Sequence, residues 1–311
     1  MKIALTGASG LVGSRFFDVL KGKYEIIPIS SSYGVDITDR KKIHKFLEEK
    51  NPALIVHLAA KTNVDGCEED KKEDLKKLEE QKIYSSGEVG FESLNADLWK
   101  GSASAFGINV AGTKNLADYA SKKDIKMIYV STDFVFNGDS DKQYSEESEV
   151  DPINWYGQTK YWGEQTIPDK SLIARISYPY GRQSNIKKDL VWVLINLLSE
   201  RDVVELVSDQ VITPTYIEDI VAAFDFLIEK DINGLIDVVG NNFLSPYEIG
   251  VAIAREFNIP ETKINTTTRE KLYKNRAKRP FKVMLKNDKL KNLGFEMTDF
   301  FMSLARIKKS L

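Results

Sequence analysis

Disulfide chemistry is excluded at the outset, because the 311-residue chain holds a single cysteine, Cys67. One thiol cannot close a bridge within the chain, and its isolation fits a reducing compartment. Histidine is almost as scarce, with His44 and His57 the two present. No group of His, Cys and carboxylates has metal-ligand spacing, so no metal is expected in the chemistry. No G-x-S-x-G elbow occurs, which leaves a serine hydrolase unsupported. Apolar runs stay well short of the roughly 18 residues a membrane helix needs. An excess of one charge is missing too: 44 Lys and Arg stand against 46 Asp and Glu, for a net charge of -2. There is then no global field to draw nucleic acid or an anionic membrane surface. The N-terminus enters a strand pattern at once, Lys2-Ile3-Ala4-Leu5-Thr6, and leaves no room for a signal peptide. The expected setting is cytoplasmic.

What the chain does have is 42% apolar residues, enough for one large domain or two moderate ones. Strand-like runs at 3–5, 24–30, 53–58, 126–131 and 171–177 alternate with helix-period segments at 11–20, 40–50, 107–121 and 156–167. That rhythm predicts crossover connections and a doubly wound parallel α/β sheet. After residue 177 the rhythm loosens. Helices are expected at 189–200 and 218–229, strands at 203–207 and 235–239, and a Ser245-Pro246 cap opens a helix to about 257. The expected organisation is a nucleotide-binding domain of residues 1–177, with 205–243 contributing. A smaller, discontinuous substrate lobe takes 178–204 and 244–311. Residues 66–105 break the pattern. The stretch 68–80 is almost all Glu, Asp and Lys, with Leu75 and Leu78 the apolar exceptions. It reads as a solvated helix or surface excursion, or else as a lid or subunit contact.

Three glycines, Gly7, Gly10 and Gly13, follow the first strand and open the first helix. Without Cβ atoms the turn can tighten and the backbone of Gly10-Leu11-Val12-Gly13 can approach a pyrophosphate. The helix N-terminus then offers free N–H groups and a positive dipole to the phosphates. The second strand ends in Ile29-Ser30-Ser31-Ser32-Tyr33, with no carboxylate to take an adenosine ribose hydroxyl. Serines there, with Arg15 near in sequence, favour the 2′-phosphate of NADPH and leave NADH open. The third strand runs into Ala59-Ala60-Lys61-Thr62, whose small residues let a cofactor lie against the backbone. His57 on that strand reads as a satisfied core residue.

Tyr156 and Lys160 are four residues apart and share a helix face. A tyrosine of pKa about 10 is a workable acid at neutral pH, and a nearby ammonium is expected to pull that value down. Hydride passing to a carbonyl carbon would be matched by a proton from Tyr156 to the oxygen, with the Thr132 hydroxyl holding that oxygen. Lys160 would also reach the ribose hydroxyls of the dinucleotide.

Several stretches carry a family likeness: Val130-Ser131-Thr132-Asp133-Phe134-Val135-Phe136-Asn137-Gly138, Asn63-Val64-Asp65-Gly66-Cys67-Glu68 and Ile108-Asn109-Val110-Ala111-Gly112-Thr113. Arg175 to Gly181, Asp209-Gln210-Val211-Ile212-Thr213-Pro214-Thr215 and Arg279-Pro280 extend it over the whole chain. With the glycine loop, the chain resembles the extended short-chain dehydrogenases/reductases, and among them the dTDP-4-dehydrorhamnose reductase group. The resemblance implies a Rossmann-type fold, a triad of Thr132, Tyr156 and Lys160, and reduction of the 4-keto group of a nucleotide-activated deoxysugar. It adds Asp36 and Ile37 along the adenine and Val130 to the cofactor contacts, and puts Asp133 and Tyr178 near the sugar. The family has a tryptophan where this chain has Tyr178. Residues 263–282 hold eight Lys or Arg and one Glu; a basic stretch of this kind suits a sugar-nucleotide diphosphate, with Arg279 the candidate contact. A homodimer is left open. So are an epimerase or dehydratase of the same fold and a non-catalytic subunit like the regulatory one of methionine adenosyltransferase.

Overall fold

The computed structural model describes residues 1–85, 87–139, 141–181 and 189–310. The chain divides into two units, Met1–Val135 with Pro152–Ala174 and Ile232–Gly234, and Phe136–Asp151 with Arg175–Asp231 and Leu235–Leu311. In the first unit β1 (Lys2–Thr6), α1 (Leu11–Leu20), β2 (Glu25–Ile29), α2 (Arg40–Lys50) and β3 (Leu54–His57) follow the expected alternation. Then come α3 (Val64–Glu80), the two-residue strands β4 (Tyr84–Ser85) and β5 (Glu88–Val89), α4 (Thr113–Lys123), β6 (Lys126–Thr132), α5 (Trp155–Glu164) and β7 (Leu172–Ile176). The chain continues through β8 (Pro179–Tyr180), α6 (Leu190–Glu200), β9 (Val204–Val207), β10 (Thr215–Tyr216), α7 (Ile217–Glu229) and β11 (Gly234–Asp237). It ends in α8 (Pro246–Glu256), β12 (Ile264–Thr267), α9 (Arg269–Leu272), α10 (Asp288–Asn292) and α11 (Phe300–Lys309).

Six strands form one sheet in the order β11-β7-β6-β3-β1-β2. β1 pairs in parallel with both β2 and β3, and β3 with β6. Leu54, Ile55, Val56 and His57 are all buried, as a strand covered on both faces requires. The chain leaves β1 toward β2 and returns on its other side to β3. The reversal therefore falls between the ends of β1 and β3, where ligands of open α/β sheets bind. Gly7, at φ +69, sits in that gap: a Cβ there would lie 2.6 Å from the Ala59 nitrogen and 2.7 Å from the Leu58 carbonyl carbon.

The charged segment at 68–80 is neither a loop nor a fully solvated face. It forms α3 over Val64–Glu80, with Cys67, Asp74 and Leu78 buried. Residues 67, 74 and 78 recur on one side of the helix, and an aromatic cluster of Trp99, Phe106, Trp155 and Trp162 covers Cys67 and Leu78. The solvated-helix reading holds for the outer face, where Glu69, Lys71, Lys72, Glu73, Lys76, Glu79 and Glu80 are exposed, while Asp74 takes a core position that composition alone cannot reveal.

The expected helix at 107–121 is two things. Gly107–Gly112 forms a π turn and α4 continues from it. In the second unit, β12 pairs with β9 and β10 with β8, both in parallel. Helices α6, α8 and α11 bury Leu194, Leu198, Ile249, Ile253, Leu304 and Ile307 in one core. Among the described residues no helix is long and apolar enough to cross a membrane.

A Cβ at position 13 would lie 2.2 Å from the Gly7 carbonyl oxygen. Gly13→Ala must therefore push α1 off the loop, and a loss of about 1–3 kcal/mol is expected in urea denaturation. Wild-type stability in that variant would contradict the close approach.

Candidate active site

The glycine loop is set up by backbone bonds. Gly7 N–H donates to the Ile29 carbonyl (3.1 Å) and Gly10 N–H to the Gly7 carbonyl (2.8 Å). Helix α1 starts at Gly10 with no side-chain cap and no acidic residue in its first turn. Its first N–H groups and dipole are thus available to an anion, with no side-chain cap or first-turn carboxylate of this helix in competition. A diphosphate fits this chain on two counts: the Cβ-free approach at Gly7 and Gly13, and the uncapped helix start. Leu11 is half-buried and Val12 buried.

The residues expected along the nucleoside are partly engaged elsewhere. Asp36 Oδ1 accepts from both the N–H and the hydroxyl of Thr38, each at 2.8 Å. Ile37 is buried against Gly112, where an added Cβ would come within 2.8 Å of its Cδ1. Ser30 and Ser32 share a hydroxyl bond of 2.6 Å at the exposed end of β2. Ala59, Ala60 and Lys61 are half-buried, and Thr62 is exposed. The Lys61 ammonium donates to Asp70 at 2.6 Å, and the Lys61 N–H to Asn109 Oδ1 at 2.8 Å. His57 lies between the hydroxyls of Thr6 (2.6 Å) and Thr113 (2.9 Å), and burial drops its pKa to about 3. It is a neutral core residue.

Thr132 ends β6, and Tyr156 and Lys160 lie one turn apart on α5. Asn154 caps that helix, accepting from the Gly157 N–H at 2.8 Å. The helix lies so close to β6 and the turn after it that a Cβ at Gly157 would sit 2.1 Å from the Phe134 carbonyl oxygen. That approach drives the Lys160 side chain into the interior. Its ammonium donates to the Val130 carbonyl at 2.7 Å and lies 4.0 Å from the centre of the Tyr129 ring. Tyr129 in turn donates its hydroxyl to the Lys160 carbonyl at 3.2 Å. Burial, only partly offset by the Glu164 carboxylate, brings the lysine down to about 7.

Tyr156 shares a hydrogen bond with Thr132, and its ring meets Phe134 edge-on at 5.4 Å. The Thr132 hydroxyl also bonds Asp133 (3.1 Å), which is buried beside it, and accepts from the Phe134 N–H (3.2 Å). Burial pushes the phenol well above its ordinary value. The Thr132 bond opposes this, and the Asp133 and Cys67 groups add to it. The expected fall toward neutrality is therefore not what the structure gives. Tyr156 keeps part of its surface open, yet the protein around its hydroxyl disfavours a charge. Lys160, brought near neutrality by its own burial, is a weakened cation. The phenol is protonated at neutral pH, and its raised pKa makes it a weaker acid than a free tyrosine, so its proton moves only toward an oxygen that gains negative charge.

Two positions in this unit were missed as site candidates. Asn109, on the π turn, donates its amide to the Lys61 carbonyl (3.2 Å) and the Thr159 hydroxyl (3.0 Å). It thereby ties the β3 end to α5. A buried asparagine between Gly107 and Gly112 is the signal that could have found it. Asp74 accepts from the Trp155 indole and carried no such signal.

Tyr178 and Arg279 belong to the second unit. Tyr178 is half-buried at φ +38, an unusual backbone for an aromatic residue and costly unless fixed by its surroundings. Its carbonyl accepts from the Thr215 N–H. Arg279 is half-buried, with its guanidinium 5.1 Å from the centre of the Tyr273 ring. The sequence stretches around it are stitched together. Asp209 accepts from the Arg269 N–H (2.7 Å), the Gln210 amide donates to the Pro280 carbonyl (2.9 Å), and the Val211 N–H donates to the Phe281 carbonyl (2.9 Å). Among the described residues no group of three or more His, Cys, Asp or Glu could hold a metal.

The parallel sheet with its reversal between β1 and β3, the glycine loop, and the Thr–Tyr–Lys set on β6 and α5 define a Rossmann-type enzyme of the tyrosine–lysine reductase and epimerase class. The chain belongs to the family described as RmlD substrate binding domain, which it matches over residues 1–81 and 100–311. It is 28% identical to a dTDP-4-dehydrorhamnose reductase of Aggregatibacter actinomycetemcomitans, over 99% of this chain and 98% of that protein. Two solved structures are similar: a dTDP-4-dehydrorhamnose reductase from Clostridium acetobutylicum (TM-score 0.82, 30% identity, 100% and 99% of the two chains) and one from Bacillus anthracis in complex with NADP (0.81, 28%, 99% and 99%). The chain is also 25% identical to the methionine adenosyltransferase 2 subunit beta of Rattus norvegicus, over 100% of this chain and 87% of that protein.

A buried amine held near pKa 7 makes a prediction about stability. The unfolded lysine binds its proton up to about pH 10.4, whereas the folded one releases it above about 7. Between those values the unfolded state holds more protons, so this group's contribution to stability rises with pH and falls as pH drops toward 7. Lys160→Met removes that dependence. The melting temperature of the variant minus that of wild type should climb as pH falls from about 10 to about 7, then level off. A difference that stays flat across that range would contradict the burial of the ammonium.

Proposed function

We propose that the protein reduces the 4-keto group of a dTDP-activated 6-deoxysugar, of the dTDP-4-dehydrorhamnose kind, with NADPH as reductant and NADH as a weaker substitute. One observation carries the reading: the Tyr156 phenol is hydrogen-bonded to Thr132 and held protonated by burial, with Lys160 one turn away on the same helix. The names of the full-length relatives and the NADP complex of a similar structure support it. The absence of a carboxylate in Ser30-Ser31-Ser32 at the end of β2 supports NADPH.

In this reading the first unit holds the dinucleotide. Gly7, Gly10, Leu11, Val12 and Gly13 take the diphosphate, Asp36 and Ile37 the adenosine end, and Ala59, Ala60, Lys61, Thr62 and Val130 the remainder. Bound there, the reduced dinucleotide supplies the hydride for the carbonyl carbon. Thr132 orients the carbonyl oxygen. Tyr156 gives that oxygen its proton, and the phenolate left behind is reprotonated from solvent, so a ketone, one hydride from the reduced dinucleotide and one proton become an alcohol. Lys160, anchored on the Val130 carbonyl, stabilises the phenolate while it lasts and turns toward the ribose hydroxyls. Asp133, Tyr178 and Arg279 bind the sugar nucleotide. In this reading the protein works in the cytoplasm, as a monomer or a homodimer.

A non-catalytic binding role is the second reading, favoured by the full-length likeness to a methionine adenosyltransferase subunit. Turnover separates the two. With dTDP-4-keto-6-deoxysugars, wild type should consume NADPH faster than NADH, and Tyr156→Phe should lose about 10²–10⁴-fold in kcat while still binding NADPH. Cofactor that binds but is never consumed would sink the reductase reading in favour of the binding role. An isomerised sugar without net consumption would favour an epimerase.

A further inference from the structure

We propose that Asp74 is a positioning residue for Tyr156, fixing the start of α5 against the start of the π turn. The inference rests on the reductase reading for its kinetic test and on the structure alone for its second test.

Asp74 lies in the middle of a run of surface charges, yet it is 1% exposed. A carboxylate in the interior is costly unless donors surround it. Its Oδ2 accepts from the Phe106 N–H at 3.0 Å and from the Trp155 indole Nε1 at 2.9 Å, and the Ser104 hydroxyl is a further partner. Phe106 leads directly into the π turn of Gly107–Gly112, and Trp155 is the first residue of α5, next to Tyr156. One oxygen therefore joins the two elements that carry Asn109 and Tyr156.

Two neighbours on α3 act in the same sense. Glu68 Oε2 accepts from the Trp155 N–H at 2.8 Å, where a carboxylate also meets the positive end of the α5 dipole. Asp70 Oδ2 accepts from the Ala105 N–H at 2.7 Å while bonded to Lys61. The face of α3 that looks inward is thus a row of acceptors for N–H groups of these two elements. Residues 82–99, which the family match skips, add apolar cover to the same patch: Trp99 lies 4.6 Å from Phe106, and Tyr84 meets Trp162 edge-on at 6.2 Å.

An apolar side chain at position 74 would be the cheaper way to fill a core site. The carboxylate instead sets a direction and a distance between the Phe106 backbone and the Trp155 indole. A displacement of about 1 Å at a reacting group can cost about 100-fold in rate, which is the scale on which such a brace matters.

The test compares Asp74→Leu, Asp74→Asn and Trp155→Phe in the full chain. Asp74→Leu is expected to lower kcat about 10–100-fold, with the sugar KM and the NADPH Kd within about threefold of wild type. Asp74→Asn keeps an acceptor oxygen and should restore kcat to within about threefold. If Asp74→Leu does not fold, Trp155→Phe carries the test: loss of the indole N–H should lower kcat with the sugar KM and the NADPH Kd held within about threefold, and wild-type kcat in that variant would overturn the proposal. Wild-type kcat in Asp74→Leu would also overturn it. So would a joint loss of kcat, KM and NADPH binding that Asp74→Asn fails to rescue, because that pattern marks simple destabilisation. The second test needs no turnover. In ¹³C-tyrosine NMR, the resonance assigned by its loss in Tyr156→Phe should shift or broaden in Asp74→Leu and return in Asp74→Asn. An unmoved resonance refutes the positioning role even if the wild-type protein reduces no sugar. A protein without turnover whose Tyr156 resonance responds as expected keeps the positioning role and loses the reductase reading.

Discussion

The constraint on which the rest of the site depends is the approach of α5 to the end of β6. Gly157 leaves no room for a methyl group against the Phe134 carbonyl, and Gly163 leaves none against the Tyr129 hydroxyl, 2.3 Å from where its Cβ would be. The helix therefore lies against the backbone of the turn after β6 and against the Tyr129 side chain of the strand. A lysine on that helix face has nowhere to send its ammonium except inward, onto the Val130 carbonyl and the Tyr129 ring. The energetic consequence is a depressed lysine and an elevated phenol, both from desolvation ahead of any charge–charge effect. In a ketone reduction this ordering is useful. The proton donor enters the reaction protonated.

Around that contact the protein separates a generic task from a particular one. Anchoring a diphosphate needs only backbone: a glycine turn, an uncapped helix start and the gap between β1 and β3. Placing Tyr156 needs side chains, and they come from unexpected quarters. Asn109 ties α5 to the end of β3 through Thr159 and Lys61. Asp74 and Glu68 hold its first residue from the other side. The π turn at Gly107–Gly112 lets Asn109 reach both partners, in keeping with the frequent placement of such turns at functional sites. The second unit shows the same economy: Gln210 and Asp209 hold the backbone around Arg279 and Arg269.

Much of this was legible in the residues. Short apolar runs between helix-period segments marked β1 through β3, and G-x-x-G-x-x-G between a strand and a helix marked the phosphate loop. Y-x-x-x-K joined to Ser131-Thr132-Asp133 marked the chemistry. Three things were not legible. The direction of the Tyr156 shift depends on how deeply the phenol is enclosed, which spacing does not report. The role of α3 depends on one carboxylate, Asp74, turning inward from a run of Glu, Asp and Lys whose composition reads as solvated. The Asp209-Gln210 stretch carried a family likeness and no stated task, and its bonds to backbone groups near Arg279 appear only in the fold. In each case the local pattern was clear and the decisive fact was a tertiary contact.

The central claim is that hydride reaches the 4-keto carbon of a sugar nucleotide while Tyr156 protonates its oxygen. It is tested most directly by supplying NADPH carrying deuterium at the transferable position, together with a dTDP-4-keto-6-deoxysugar, and reading the product by NMR. The account predicts one deuterium at C4 of the sugar for each NADPH consumed. Product without deuterium at C4, or sugar rearranged with the NADPH intact, would contradict it.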